Sequence, residues 1–582
     1  MIRILMRSIR EYRKLAFTSQ ILVAVEVAIE TFIPFLMGNI IDYGIMKKDM
    51  NYITKYGIIL LIMTLFSLAC GAGASWAAPH ASAGFAANLR HDMFYHIQDF
   101  SFANIDRFSG SSLVTRLTTD VTNVQTAFQM MTRIAVRAPL LLIFSIIMAF
   151  NVNSSLAMIF VVLVPLLTIA LALVIHFARP LFRKVFQRYD VLNQVVRENV
   201  RGVQVVKTYV REDEEISKFK KASQGIAEVF TKAQQIMSLN GPAMMLVLNS
   251  AVILLSWFGA KLIVGGQLQT GQLVSMYAYS NSILFSLNIL AMVFTQLSIS
   301  QASGDRIAEV LQDQSTITNP KHPLLAMSDG AIEFKHVNFE YGDSPKAILQ
   351  DINLSIKSGE VIGIIGETGS GKSTLVQLIP RLYDISKGKL LIGGRNVRHY
   401  DLRTLRDNVA MVLQNSILFS GTIAENLRWG DEDATDEQVI AAAKTAQADG
   451  FINEFDDGYQ THVEQGGTNV SGGQQQRLTI ARALLKKPKI LILDDSTSAV
   501  DTHTEQMIRE GLRQDMPDTT KIIISQRIVS IKDADQIIVM DHGHIQDVGT
   551  HDELVQRNTL YREIYQYQQQ KAGETTDDGK DA

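Results

Sequence analysis

The chain has 582 residues, of which 47% are hydrophobic and only 19% charged, with a formal net charge of -3. So apolar a composition at this length excludes an ordinary soluble enzyme and requires a membrane portion. The single cysteine, Cys70, excludes an intrachain disulfide and a cysteine-rich metal site, and no basic tract marks a nucleic-acid partner.

At the N-terminus Arg3, Arg7, Arg10 and Arg13 alternate with Ile2, Leu5, Met6 and Ile9. Residues 1–15 therefore read as an amphipathic helix on the cytoplasmic membrane surface. Six apolar segments long enough to cross a bilayer follow, at about 17–40, 57–79, 134–150, 156–176, 243–265 and 271–300. The gaps near 42–55, 151–155 and 266–270 are short, and those near 80–133 and 177–242 are long. The second long gap carries about a dozen Lys and Arg, which places the long gaps in the cytoplasm. Both keep apolar residues at three- and four-residue spacing, so the membrane helices should continue beyond the bilayer. Residues 16–311 are expected to form an α-helical polytopic membrane domain of six transmembrane helices.

Two features of that domain concern a transported substrate. Glu26 and Glu30 lie four apart near the middle of the first span, on one helix face. Carboxylates are costly there, so they should face a cavity or a partner and could attract a cationic substrate. Pairing with Arg133 or Arg137, or hydrogen bonding between helices, is the structural alternative. In the sixth span Tyr277, Asn281, Phe285 and Asn288 form a helical stripe that either lines a substrate cavity or glues helices together.

A polar stretch with Pro320 and Pro323 marks a linker, residues 312–329. Strand-like runs then alternate with helical segments over residues 330–570, as in an α/β domain with a mainly parallel sheet. The tail 571–582 has no apolar anchor and reads as disordered.

The α/β domain carries the chemistry. The strand Val361–Ile365 runs into Gly366-Glu367-Thr368-Gly369-Ser370-Gly371-Lys372-Ser373-Thr374, which fits GxxxxGK[ST]. A triphosphate needs converging backbone N–H groups with a helix N-terminus behind them, and the glycines allow that approach. Lys372 would reach the β- and γ-phosphates and Ser373 would ligand a magnesium ion. The run from Lys489 to Leu493 is a strand ending in Asp494, which would hold the same ion. Val470-Ser471-Gly472-Gly473-Gln474 opens a further helix, a second place where a hydroxyl and glycine N–H groups can bind phosphate.

With these motifs in this order the chain resembles the ATP-binding cassette transporters, specifically exporter half-transporters with six membrane helices and one α/β P-loop nucleotide-binding domain. The resemblance covers nearly the full length. It implies ATP and Mg2+ as ligands, Tyr341 stacking adenine, Gln414 as the Q-loop residue near the metal, and Ser498 to Asp501 as the D-loop. Phe108 to Arg116 with Asp120, and Glu198 to Lys207, resemble the two intracellular loops through which such exporters couple membrane domain to cassette.

Two positions depart from the family pattern. Asp495 stands where competent members have Glu, and Gln526 where they have the switch His. Asp is a methylene shorter and Gln carries no charge, so both should weaken hydrolysis. The chain then resembles the degenerate-site subunit of a bacterial heterodimeric multidrug exporter. That implies a partner half-transporter bearing Glu and His, a small amphipathic substrate, lipid surroundings and a plasma membrane location with N-terminus and cassette cytoplasmic. A homodimeric exporter of lipid or peptide with slow hydrolysis at two identical sites, and a nucleotide-gated regulatory or channel-like subunit, are the alternatives.

Overall fold

The computed structural model describes residues 1–342 and 347–577. They divide into two units, Met1–Gln98 with Ser111–Asp313, and Asp99–Gly110 with the chain from Gln314 onward.

The first unit is built of helices, chiefly α1 (Arg13–Asn39), α2 (Met50–Gln98), α3 (Ile134–Val152), α4 (Ser154–Arg201), α5 (Asn240–Val264) and α6 (Thr270–Gln312). Among the described residues six helical runs are long and apolar enough to cross a membrane. The 48 residues of α4 span roughly 70 Å at 1.5 Å per residue, against ~30 Å of hydrocarbon, so more than half of that helix lies outside the bilayer core. Helix α2 packs through a face of small residues, Ala74, Ala77, Ala78, Ala81 and Gly84, all buried, which lets neighbouring backbones approach. Asp42, just beyond α1, accepts hydrogen bonds from Gly271 N (2.6 Å) and Gln272 N (3.1 Å) and thereby caps the start of α6.

The N-terminus differs from the expected single amphipathic helix. Ile2–Leu5 is α-helical and Met6–Tyr12 is a 3₁₀ run interrupted at Arg10, whose φ is 45°. The cause is Asp92 of α2: Arg10 pairs with it and the Ser8 hydroxyl donates to it at 2.7 Å. A carboxylate on a neighbouring helix thus draws in an arginine that the sequence assigns to the lipid surface.

In the second unit a six-stranded sheet runs β6-β5-β1-β4-β3-β2, with β1 Val361–Gly366, β2 Val409–Val412, β3 Ile490–Asp494, β4 Thr520–Ile524, β5 Gln536–Asp541 and β6 His544–Gly549. All neighbours are parallel except β5 and β6. Both sheet faces are covered: Ile362, Ile492 and Ile522 enter one core, while Leu491, Leu493 and Ile523 enter the other. That is why these strands read as unbroken apolar runs. Ile524 of β4 pairs with both Ile364 of β1 and Asp494 of β3, so the carboxyl ends of three adjacent strands share one edge. An antiparallel sheet of Ile332–Phe339, Leu349–Ile356, Lys387–Ile392 and Arg395–Asn396 flanks them.

The helices that matter for the site are α7 (Lys372–Gln377), α8 (Gly472–Leu485), α9 (Thr502–Asp515) and α10 (Thr559–Asp577). Helix α10 runs on into the stretch expected to be disordered, and residues 578–582 lie outside the described residues.

Candidate functional site

The shared strand edge gathers the sequence-predicted residues into one cleft of about 340 Å³, lined by Thr368, Gly369, Gly371, Lys372, Ser373, Thr374, Gln414, Asp494, Asp495 and Gln526, with Ile348 and Ile524. The path of the loop requires glycine, most plainly at Gly371 and Gly366. Gly371 has φ 95°, and a Cβ on Gly366 would fall 2.0 Å from the Met540 carbonyl oxygen of β5. Lys372 Nζ donates to the carbonyls of Gly366 (2.8 Å) and Glu367 (2.7 Å), which folds its charge over the loop. Ser370 is buried and Glu367 is exposed beside the cleft.

Ser373 Oγ donates to Asp494 Oδ1 at 3.0 Å, so the two expected metal ligands already face each other. Burial raises the Asp494 carboxyl above its ordinary value, Asp495 adds to that, and Ser373 and Lys372 oppose it. A hard divalent cation fits such a pair of oxygen donors, because it supplies the charge that burial of the carboxylate lacks. Gln414 Nε2 lies 3.4 Å from Asp495 Oδ2, which tethers the glutamine to the cleft.

Asp495 has φ 47°, a left-handed conformation unusual for a residue with a side chain. Its N–H donates to the Ile524 carbonyl at 3.0 Å, which holds the turn and keeps the carboxylate in the cleft. Burial raises this carboxyl too, against the pull of Lys372 and Arg527. A carboxylate raised towards neutrality is a better proton acceptor than a solvated one. Burial in turn lowers the Lys372 ammonium, opposed by Asp494 and Asp495.

Tyr341 lies at the side of α7, its hydroxyl 3.1 Å from Thr374 Oγ1 and 3.2 Å from Gln377 Oε1. Sequence reasoning missed its neighbour Tyr383, which stands edge-on to it (5.0 Å, 89°) and donates to Asp106 Oδ2 at 2.6 Å. Asp106 belongs to the short helix Phe102–Phe108 of the first intracellular loop, which clusters with this unit. Gln568 of α10 was missed as well: it donates to the Gln526 carbonyl at 2.7 Å and accepts from Ile528 N at 2.9 Å, clamping the switch turn. Neither signal is local, since each pair joins residues far apart in the chain.

Ser471 to Gln474 do not line the cleft. Ser471 is the N-cap of α8 and forms a reciprocal capping box with Gln474. Gly473 lets the helix sit against the D-loop, because a Cβ there would be 2.8 Å from the Ala499 carbonyl. Gln476 fastens the same loop through Ser498 Oγ (3.2 Å) and Ala499 N (3.0 Å). Asp501 caps α9 by accepting from Thr504 N at 2.9 Å, and those N–H donors lower its carboxyl.

In the membrane unit Glu26 and Glu30 both pair with Arg137, at 2.6 Å each. Tyr277 Oη bonds Ser256 Oγ of α5 at 2.8 Å and Asn288 Nδ2 approaches Met244 Sδ at 3.4 Å. Asn281 turns back to the Tyr277 carbonyl at 3.5 Å and Phe285 is exposed. Two members of the stripe therefore serve the α5–α6 contact.

A P-loop cleft with paired metal ligands, joined to six membrane-crossing helices, defines an ATP-coupled membrane translocase. Residues 17–287 match the ABC transporter transmembrane region and residues 349–498 the ABC transporter model. YfiB of Bacillus subtilis, described as an uncharacterized ABC transporter ATP-binding protein, is 38% identical over 96% of this chain and 97% of its own length. An uncharacterized ABC transporter ATP-binding protein of Mycobacterium tuberculosis, Rv1273c, is 37% identical over 97% of each chain. YgaD of Bacillus subtilis, a putative multidrug export ATP-binding/permease protein, is 31% identical over 97% of this chain and 98% of its own. The chain belongs to the ABC transporters. It uses ATP with Mg2+ and is a multi-pass inner-membrane protein with a cytoplasmic cassette.

A solved bacterial Atm1-family ABC exporter with ATP bound superposes with TM-score 0.81 at 24% identity, over 96% of this chain and 99% of that one. This match overturns the expectation of a degenerate-site subunit that needs a distinct partner bearing Glu and His. The physical reason for the error lies in the cleft. Asp495 was discounted for its length, yet its left-handed backbone keeps the carboxylate in the cleft within reach of Gln414.

Proposed function

We propose that this chain is one half of a homodimeric ATP-driven exporter with two equivalent composite ATP sites, each joining the P-loop cleft of one copy to the α8 N-terminus of the other. The supporting observation is the separation within one chain. Lys372, Ser373, Asp494, Asp495 and Gln526 share a cleft that Ser471 to Gln474 do not enter, and Ser471 and Gly472 are exposed. A second copy supplies the missing N–H groups and the original receives the same in return.

Asp495 takes the proton from the attacking water in each site, and Gln526 offers a hydrogen bond without charge. The shorter base costs up to about a hundredfold in rate relative to a well-placed glutamate, so turnover is slow and real. Tyr383 and Asp106 join the adenine side of the cleft to the first intracellular loop. The test is the purified chain alone in lipid: it should run as a dimer and turn over ATP with Mg2+. A folded preparation that binds ATP but neither dimerises nor hydrolyses it would sink the reading.

A further inference from the structure

Helices α1, α2 and α3 meet in an apolar cluster that contains Val23, Val27, Ala74 and Leu141. Charged groups enter it from two sides. Arg137 spends Nη1 on Glu26 Oε1 and Nη2 on Glu30 Oε2, at 2.6 Å each. With both carboxylates ionised, one guanidinium against two of them leaves one negative charge uncompensated within hydrogen-bond contact. The deficit shows at a single atom too: Glu26 Oε2 is buried and accepts no hydrogen bond from the described residues. The other cation of this stretch, Arg133, sits at the break between helix Val121–Thr132 and α3, and the ion pairs of the described residues leave it out.

A staple between α1 and α3 needs only one carboxylate. Both terminal nitrogens of Arg137 on the two oxygens of Glu26 would give each of those oxygens a hydrogen bond in a bidentate pair. Glu30 instead takes half of the guanidinium and strands an oxygen of Glu26. It is also the member that opens outward, its side chain 43% exposed against 14% for Glu26 and 25% for Arg137. Gly71 of α2 keeps the space beside Glu26 free, since a Cβ there would lie 3.0 Å from Glu26 Oε1.

We propose that Glu26, Glu30 and Arg137 form a recognition site for an organic cation in the membrane domain. The ligand's charge replaces Arg137 at Glu30, and Arg137 turns both nitrogens to Glu26. Two positive charges then face two negative ones, and both oxygens of Glu26 accept a hydrogen bond. Only the description of this cation as cargo rests on the exporter reading above.

The test measures nucleotide-free binding to the full chain in lipid nanodiscs, with empty nanodiscs subtracted. The probes are tetraphenylphosphonium and tetraphenylborate, equal in shape and opposite in charge. Wild type should prefer the cation by at least about tenfold, Glu30→Gln should lower cation affinity by about tenfold, and Arg137→Gln should raise it, because it frees both carboxylates. A purely structural staple predicts loss in both variants, and that outcome overturns the proposal. So does an absent charge preference, or an unchanged affinity in Glu30→Gln. If Arg137→Gln fails to fold, the wild-type preference and Glu30→Gln decide. No ATP enters the assay, so failure here leaves the homodimer reading standing, and an inactive or monomeric chain leaves this site standing.

Discussion

Two helix N-termini in the cassette begin at glycine-rich turns, and they differ in their surroundings. The start of α7 lies in a cleft with an ammonium, a buried carboxylate, a half-buried one and a hydroxyl already paired to the buried one. The start of α8 is exposed, is satisfied by its own Ser471–Gln474 box, and lies outside that cleft. The first can bind nucleotide and metal by itself. The second presents exposed N–H groups, and the proposed homodimer has them meet the phosphate that another copy brings.

The largest expected effects test that asymmetry. Lys372→Ala and Gly472→Glu should each lower ATP turnover by about a hundredfold or more. The first removes the charge on the β- and γ-phosphates, and the second sets a carboxylate against the incoming phosphate. Gly472 has only Ala499 Cβ nearby, at 3.7 Å, so a side chain there should fold normally. Mixing the two variants should restore activity, because the mixed dimer holds one site with an intact P-loop and an intact α8 terminus. Unmixed levels after subunit exchange would show that the sites are not shared between copies.

Next comes the base. Asp495→Asn should cost about tenfold or more, since the proposed homodimer assigns the role of base to Asp495 in both sites, and Asp495→Glu should raise turnover. Burial raises the Asp495 carboxyl above the ordinary value of 3.8, so the acid limb of the rate profile should fall at a pH above that value. The sign follows because the active form is the ionised one, and a raised carboxyl takes its proton earlier as pH drops. A limb at or below 3.8 in wild type would remove Asp495 from the role of base.

The parts of this machine that were legible beforehand are contiguous in sequence. Gly366 to Thr374 follows a strand directly, and an apolar run ending in Asp494 announces its own place beside it. The bilayer crossings were legible for the same reason, as hydrophobicity accumulates along a helix. What depends on tertiary pairing was legible only as an open choice or not at all: the sequence left Arg133 and Arg137 both open as partners and the structure selects Arg137, which meets Glu26 and Glu30 across 111 and 107 residues, while the pairing of Arg10 with Asp92, 82 residues away, had no sequence signal. Asp495 shows a third kind of limit. Its identity suggested a weak site, while its left-handed backbone, invisible in the sequence, keeps its carboxylate in the cleft.

The smallest predicted effect concerns the bond between Tyr383 and Asp106, 277 residues apart. Tyr383→Phe keeps the ring against Phe339 and Tyr341, at 5.6 Å and 5.0 Å, and removes only the hydroxyl that donates to the carboxylate. A hydrogen bond to a charged acceptor is worth about 1.5–3 kcal/mol when sheltered. This one is exposed to solvent, so about 1 kcal/mol, roughly a fivefold change in an opening equilibrium, is the reasonable expectation. Amide exchange of the 102–108 segment should accelerate by about that factor in Tyr383→Phe and equally in Asp106→Ala. The double variant should exchange no faster than either single one, because each already lacks the whole bond. Additive acceleration would mean that the two residues hold the loop through separate contacts, and the link from the adenine side to the membrane loop would then have to run through the Phe102–Tyr383 ring contact at 5.9 Å.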